Sequence, residues 1–400
     1  MRTRAWIALA GCLLLAGCGG RTQLISVSTP VTSGVRSHTA QAGQKLGFPL
    51  MATKNTTRVA GGDPIADAAG VALAVYPSEF AGTHPPAVVL APTDDWEASL
   101  AASVLMAAPV RAPLLLSGRG SLPAATTDAL RQLTPTGVPT LNGVQVIRVG
   151  DVPAPPGLRA TTISGADPFT LTAAIDRFAT AAAGKPSTAV VIASADAPAY
   201  AMPAAGWAAE SGDPLLFVSS NGVPAATVAA LQAHQHPNIY VLGPASVIPD
   251  SVFAELGKYG PVKRVGLDDP AANSVAFAEY RDPACVKNQP CVHVPGSFGW
   301  ALTSPGHGYT LVNANRTLDA AAAAALSSSG SYGPELLVES PSQLPTPVLN
   351  YFLNFATPGF SQEGPTAAVY NHGWVIGDQS AISGAVQAEM DSLLEAVPQK

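Results

Sequence analysis

Charge is scarce in this chain: Asp, Glu, Lys and Arg make up 12% of its 400 residues, against about 25% in ordinary soluble domains. Its surface must then be covered largely by Ala, Thr, Ser and Pro, and few ion pairs are expected. The formal charge of −6 leaves no basic face of the kind a nucleic-acid partner requires, so none is expected. Cysteine is nearly absent, with 4 residues, which excludes a disulfide-dense scaffold. Long hydrophobic runs are missing too. The apolar stretch from Trp6 to Ala16 is about a dozen residues, the length of a signal-peptide core rather than of a bilayer span.

Catalytic motifs are also lacking. There is no G-x-S-x-G elbow, H-E-x-x-H helix, Walker loop or G-x-G-x-x-G turn. Gly118-Arg119-Gly120 wants its third glycine and reads as a turn before a helix. His234 and His236, at a helix end before Pro237, read as solvent-facing; His307 and His372 read as turn residues. No spacing yields a nucleophile–base pair. Neither catalysis, metal nor cofactor is therefore expected.

What the chain does have is a repeat. Gly61-Gly62-Asp63-Pro64 is answered by Gly165-Ala166-Asp167-Pro168 and again by Asp268-Asp269-Pro270, with prolines 104 and 102 residues apart. Val88–Ala91 recurs as Val190–Ala193, and Leu122-Pro123-Ala124-Ala125-Thr126 as Val223-Pro224-Ala225-Ala226-Thr227. That period suits a small domain rather than a solenoid unit. In each copy a short β-rich run precedes an Asp-Pro pair that opens a helix: the carboxylate caps free N–H groups, and Pro at the first helical position gives up nothing. Leu171, Ala174, Ile175 and Phe178 keep helical spacing. Unalternating apolar runs at 87–91 and 189–193 predict strands buried on both faces, as in parallel sheets, and Tyr309-Thr310-Leu311-Val312 looks like the matching strand of the third copy. The expected fold is α/β: three tandem small parallel-sheet domains of flavodoxin/Rossmann-like build. Their bounds are 57–160, 161–262 and 263–400, with an insert near 281–308. The apolar segment Leu46–Met51 is expected to dock on the first domain, and Val386, Met390, Leu393 and Leu394 form one side of a last helix.

The N-terminus reads as a processing segment. Arg2 and Arg4 precede the apolar core, and Leu15-Ala16-Gly17-Cys18 resembles a bacterial lipoprotein lipobox. This implies a signal peptide over 1–17, a lipidated Cys18 carrying palmitate-type acyl chains, a flexible spacer over 18–56, and a location on the outer face of the cell membrane. Cys285 and Cys291, in a polar loop in an oxidising space, then form a disulfide; a zinc site recruiting His293 is one ligand short.

The Gly-x-Asp helix starts at Gly61/Asp63 and Gly165/Asp167, the acidic turns Asp94–Ala102 and Asp196–Ala201, and the strand ends Gly243–Ile248 and Gly377–Ile382 together resemble the cell wall-binding repeat 2 family, over about residues 57–397. The resemblance implies a pseudo-threefold arrangement and non-covalent attachment to anionic polymers of the cell wall; as a partner, the polymer is expected to be an anionic glycopolymer or peptidoglycan. Family members carry Arg after the helix-opening Asp; all three copies here have Pro.

In parallel α/β sheets ligands gather at the carboxyl ends of strands. Those ends carry Asp94, Asp95 and Trp96 in the first copy, Asp196 and Tyr200 in the second, and Asn313, Asn315 and Arg316 in the third. Either this polar crest binds sugars by stacking and hydrogen bonds, or its members cap helices and pack domains together. The reading is a non-catalytic envelope-binding scaffold; the alternatives are an envelope hydrolase using residues 281–316 and a tethered solute-binding receptor.

Overall fold

The computed structural model describes residues 50–282, 298–329, 333–356, 359–360, 369–395 and 397–398. The signal segment, Cys18, the spacer as far as residue 49, the pair Cys285/Cys291 and most of the 281–308 insert lie outside the described residues.

In chain order the elements are β1 (Leu50–Ala52), β2 (Thr56–Val59), α1 (Pro64–Val75), β3 (Val88–Pro92), α2 (Trp96–Ala101, continued by a 3-10 turn, Ala102–Met106), β4 (Leu114–Ser117), α3 (Ala124–Leu133), β5 (Val146–Val149) and β6 (Ala160–Ile163). Then come α4 (Pro168–Ala183), β7 (Ala189–Ser194), α5 (Pro198–Ala201), α6 (Pro203–Ser211), β8 (Leu215–Val218), α7 (Ala225–Ala233), β9 (Asn238–Leu242), α8 (Asp250–Leu256) and β10 (Val262–Val265). The third stretch holds α9 (Pro270–Glu279), β11 (Gly308–Asn313), α10 (Thr317–Ser327), β12 (Glu335–Val338), α11 (Thr346–Tyr351), β13 (His372–Ile376) and α12 (Gly384–Leu393).

The predicted helix starts are built as local chemistry dictates. Asp63, Asp167 and Asp269 sit in extended backbone and accept N–H bonds from Ala66, Thr170 and Ala272, with Pro at the first helical position each time. The repeated Pro-Ala-Ala-Thr has a cause as well. The Thr126 and Thr227 hydroxyls donate 2.6 Å and 2.7 Å bonds to the carbonyls of Leu116 and Phe217, fastening α3 and α7 to the ends of β4 and β8.

These strands form three sheets, ordered β4-β3-β5-β6, β8-β7-β9-β10 and β12-β11-β13-β2-β1, in which only β1 runs antiparallel to its neighbour; a further short parallel pairing joins Gly359–Phe360 to Val397–Pro398. The strands β3, β4, β7, β8, β11 and β12 are buried throughout, as unalternating apolar runs require. Sequence copy and sheet are out of step by one strand. The β-rich run opening the second copy, β6, is the edge of the first sheet; β10, opening the third copy, edges the second; and β2 closes the third sheet across more than 300 residues. Leu50–Ala52 accordingly pairs with β2, a strand of the first sequence copy that lies in the third sheet; residues 46–49 of that apolar segment lie outside the described residues.

Arginines fasten these edges. Arg58 on β2 donates to the carbonyls of Gly377 and Ser383, and Arg264 on β10 donates likewise to Gly243 and Ile248. In the first sheet Arg148, one strand over, holds the carbonyl of Val152 instead.

Between the sheets, α2 with its 3-10 turn, α6 and α10 pack on one another. Alanine faces permit the close approach: Ala320 to Ala325 are all buried, and a Cβ at Gly206 of α6 would lie 2.5 Å from Ser327 Oγ of α10. One continuous apolar core therefore runs through parts of all three sheets.

Candidate functional site

Each sheet ends in a polar crest where the expected residues are found, and each of them has intramolecular partners. At the first, Arg119 Nε donates a 2.6 Å bond to exposed Asp94, joining the tips of β4 and β3. Asp95 caps α2 by accepting the Ala98 N–H at 2.9 Å; burial raises its pKa and that bond opposes the rise. Trp96 reaches the neighbouring sheet, meeting Phe217 of β8 edge-on with ring centroids 5.4 Å apart.

The second crest is tied by Asp196, which accepts the Ser220 N–H at 2.7 Å. Tyr200 gives its hydroxyl hydrogen to the Asp268 carbonyl. Burial, then the nearby Asp269, Asp268 and Glu339, raise the Tyr200 pKa. At the third, Asn313 is buried; its Nδ2 donates to Ala381 O at 2.7 Å and its Oδ1 accepts the Asn315 N–H at 2.9 Å. Asn315 Nδ2 in turn donates to the Glu339 carbonyl.

Arg316 leads into a charge cluster that the sequence pattern did not bring together. Its Nε lies 2.6 Å from Asp319 and its Nη2 3.0 Å from Asp67, and both carboxylates are fully buried. Asp67 also accepts the Gly61 N–H at 2.7 Å; a Cβ at Gly61 would stand 2.6 Å from that same oxygen, so only glycine fits. Desolvation, reinforced by Asp319 and opposed by Arg316, pushes the Asp67 pKa to about 8; desolvation against Arg316 brings Asp319 to about 6. Two buried acids facing one guanidinium favour keeping a proton in the cluster, and the larger upward shift of Asp67 favours it there. The available signal was an acid inside an apolar helical stretch, Ile65-Ala66-Asp67-Ala68-Ala69 and Leu318-Asp319-Ala320.

His234 requires correction. It is buried, not solvent-facing: Nδ1 donates to Ser187 O at 2.8 Å while Nε2 meets Asp176 at 2.9 Å. A carbonyl only accepts, so with Asp176 ionised both ring nitrogens carry hydrogen; these partners raise the His234 pKa despite the opposing desolvation. Among the described residues no group of three or more His, Cys, Asp or Glu could hold a metal, and no helix is long and apolar enough to cross a membrane.

Fold and crests together define a class: several small parallel α/β sheets fused through shared central helices, each presenting a polar rim of strand ends. Residues 162–253 match the model of Cell wall binding domain 2 (CWB2), the family expected from the sequence. The matched unit begins in β6 and ends in α8, so the family unit too is offset from the sheet by one strand. Among solved structures, Cwp8 from Clostridium difficile is similar with a TM-score of 0.62 and 16% identity, over 90% of this chain and 55% of that one. Cwp6 from Clostridium difficile is similar with a TM-score of 0.61 and 14% identity, over 86% and 49%. The chain thus spans about half the length of the structures it matches. No curated protein matches it in sequence.

Proposed function

We propose that the chain is a cell-wall-binding scaffold without catalysis, held at the outer face of the membrane by lipid on Cys18 and touching a wall polymer with its three crests. The match of residues 162–253 to Cell wall binding domain 2 (CWB2) carries the reading. A pseudo-threefold set of crests would multiply weak contacts, since each further contact on one polymer is intramolecular. In this reading the contact residues are Asp94, Asp95, Trp96, Asp196, Tyr200, Asn313, Asn315 and Arg316. The disulfide between Cys285 and Cys291 belongs to the same reading.

The charge of the crests favours one polymer class over the other. Asp63, Asp167, Asp196, Asp268, Asp269 and Glu339 stand at or beside strand ends, whereas Arg58 and Arg316 are consumed internally and the exposed Arg119 is paired with Asp94. Pro64, Pro168 and Pro270 occupy the places where cations would meet an acidic chain. Peptidoglycan, rather than an anionic glycopolymer, is therefore the proposed ligand.

The test is retention of the detergent-solubilised full chain on isolated walls, before and after the anionic polymer is extracted. Retention should survive extraction and hold or rise with salt, because screening weakens repulsion. Loss of retention on extraction would overturn the choice of polymer; no retention on intact walls would overturn the function.

The hydrolase reading finds its nearest described acid already engaged. Asp282 accepts from Tyr240, Tyr280 and Lys263. The receptor reading has one observation in its favour, a cavity of about 510 Å³ between the second sheet and residues 298–307.

A further inference from the structure

That cavity lies away from the crests, beside the amino end of β7. Its volume falls in the range of small-ligand sites, roughly 300–1,000 Å³. Trp207 of α6, Phe298 and Trp300 form its apolar wall, and the three rings touch edge-on with centroids 4.9 Å and 5.2 Å from Trp207.

The wall is fixed in place. Asp282 N–H donates to Phe298 O at 3.0 Å, Ala301 N–H to Tyr280 O at 3.0 Å and Leu302 N–H to Ala278 O at 3.1 Å. Phe298 stacks on Tyr240, and a Cβ at Gly299 would stand 2.3 Å from Tyr280 O, so the turn between the two aromatic residues needs glycine. Ala301, with φ of 56°, is held in the left-handed region, a conformation that persists only where its surroundings enforce it. Trp207 is locked as well, its Nε1 donating to Asp213 Oδ2 at 2.9 Å.

Among the described residues, Glu210, Asp213 and His307 are the titratable groups lining this cavity, with no Lys or Arg; burial lowers the His307 pKa, which favours the neutral ring. Asp213 is already engaged by Trp207 and Ser187. Glu210 has no hydrogen bond or ion pair among the described residues, and burial alone raises its pKa. An unpartnered carboxylate at the cavity rim can pair with an opposite charge, while the aromatic wall beside it offers apolar surface to the rest of the ligand. An anionic ligand is disfavoured for the same reason.

We propose that this cavity binds a compact organic ammonium, its nitrogen paired with Glu210 and its carbon skeleton laid against Trp207, Phe298 and Trp300. The ammonium belongs either to a deacetylated amino sugar or to an amino-acid side chain. The proposal does not depend on wall attachment and can stand or fall separately from it.

Trp207 and Trp300 supply the readout. The full chain in detergent is titrated at pH 7.5 with glucosamine, N-acetylglucosamine, L-lysine and Nε-acetyl-lysine while tryptophan emission is followed. Saturable change is expected with glucosamine or lysine, at least about tenfold weaker for the acetylated form, and whichever amine binds more tightly identifies the source. Glu210→Gln should weaken that binding about tenfold with an unchanged thermal midpoint, since its side chain is exposed. No saturable change with either amine, equal binding of amine and acetylated forms, or an unaffected E210Q would each overturn the proposal.

Discussion

The acids that matter most are those this charge-poor chain buries. Glu335, at the start of β12, has no exposed surface and, among the described residues, no hydrogen-bond partner for either carboxylate oxygen; burial holds its pKa well above the usual carboxylate value. Asp67 and Asp319 are shifted the same way, to about 8 and about 6. His234, partnered by Asp176, is also raised. The sign follows from proton counts. In all four cases the folded state holds its proton to higher pH than the unfolded chain, so the associated stability is complete below the unfolded pKa and lost as pH rises through the folded one. For Asp67 the window runs from about 4 to about 8. The midpoint of urea unfolding is therefore expected to fall steadily between pH 5 and pH 8. Glu335→Gln should reduce that fall and raise stability at pH 8 by at least about 1 kcal/mol. A midpoint that climbs with pH, or an E335Q chain with the wild-type slope, would show that Glu335 is ionised in the fold.

Among the elements, what the sequence made legible is what local chemistry decides. Asp-Pro starts, unalternating strands and the last helix with Val386 and Met390 buried all stand where the pattern put them, because a cap or a doubly covered strand needs only its own few residues. Non-local partners were not legible. Nothing within Thr161-Thr162-Ile163 says that it pairs with β5 behind it rather than with the strands ahead. Nothing near His234 announces Asp176, 58 residues away. Crest positions could be read for the same reason as the strands, but not the partners that occupy them, such as Phe217 for Trp96. The repeated Thr of Pro-Ala-Ala-Thr lies between these cases: its recurrence was visible, its bond to the preceding strand was not. Thr227→Val keeps the shape of the side chain and deletes the buried donor to Phe217 O, which should cost about 1 kcal/mol. Equilibrium denaturation of T227V measures it; a change below about 0.3 kcal/mol would mean that the α7–β8 tie is incidental.

At the scale of the whole molecule, the one-strand offset decides how the chain comes apart. Were each sequence copy a closed domain, the copies would resemble beads with modest contacts and would be expected to melt separately. Here β6 and β10 carry the chain from one sheet into the next copy, and β2 returns from the N-terminal side to complete the third sheet, where Arg58 bonds Gly377, Asp378, Ser383 and Gln387. Truncating that guanidinium would orphan several buried acceptors at once. The central helices α2, α6 and α10 add a second bond between units, since they share one apolar core, and alanine faces that fit at van der Waals distance leave no room for one helix to loosen alone. No sheet can then lose its strands without exposing the core of another. Calorimetry of the full chain should accordingly show one transition whose van't Hoff and calorimetric enthalpies agree, and R58A should lower the temperature of that single transition rather than split it. Two or three resolved transitions in the wild-type chain, or an R58A chain in which a third of the enthalpy melts early, would mean that the sheets are independent and that the closing strand only decorates the third.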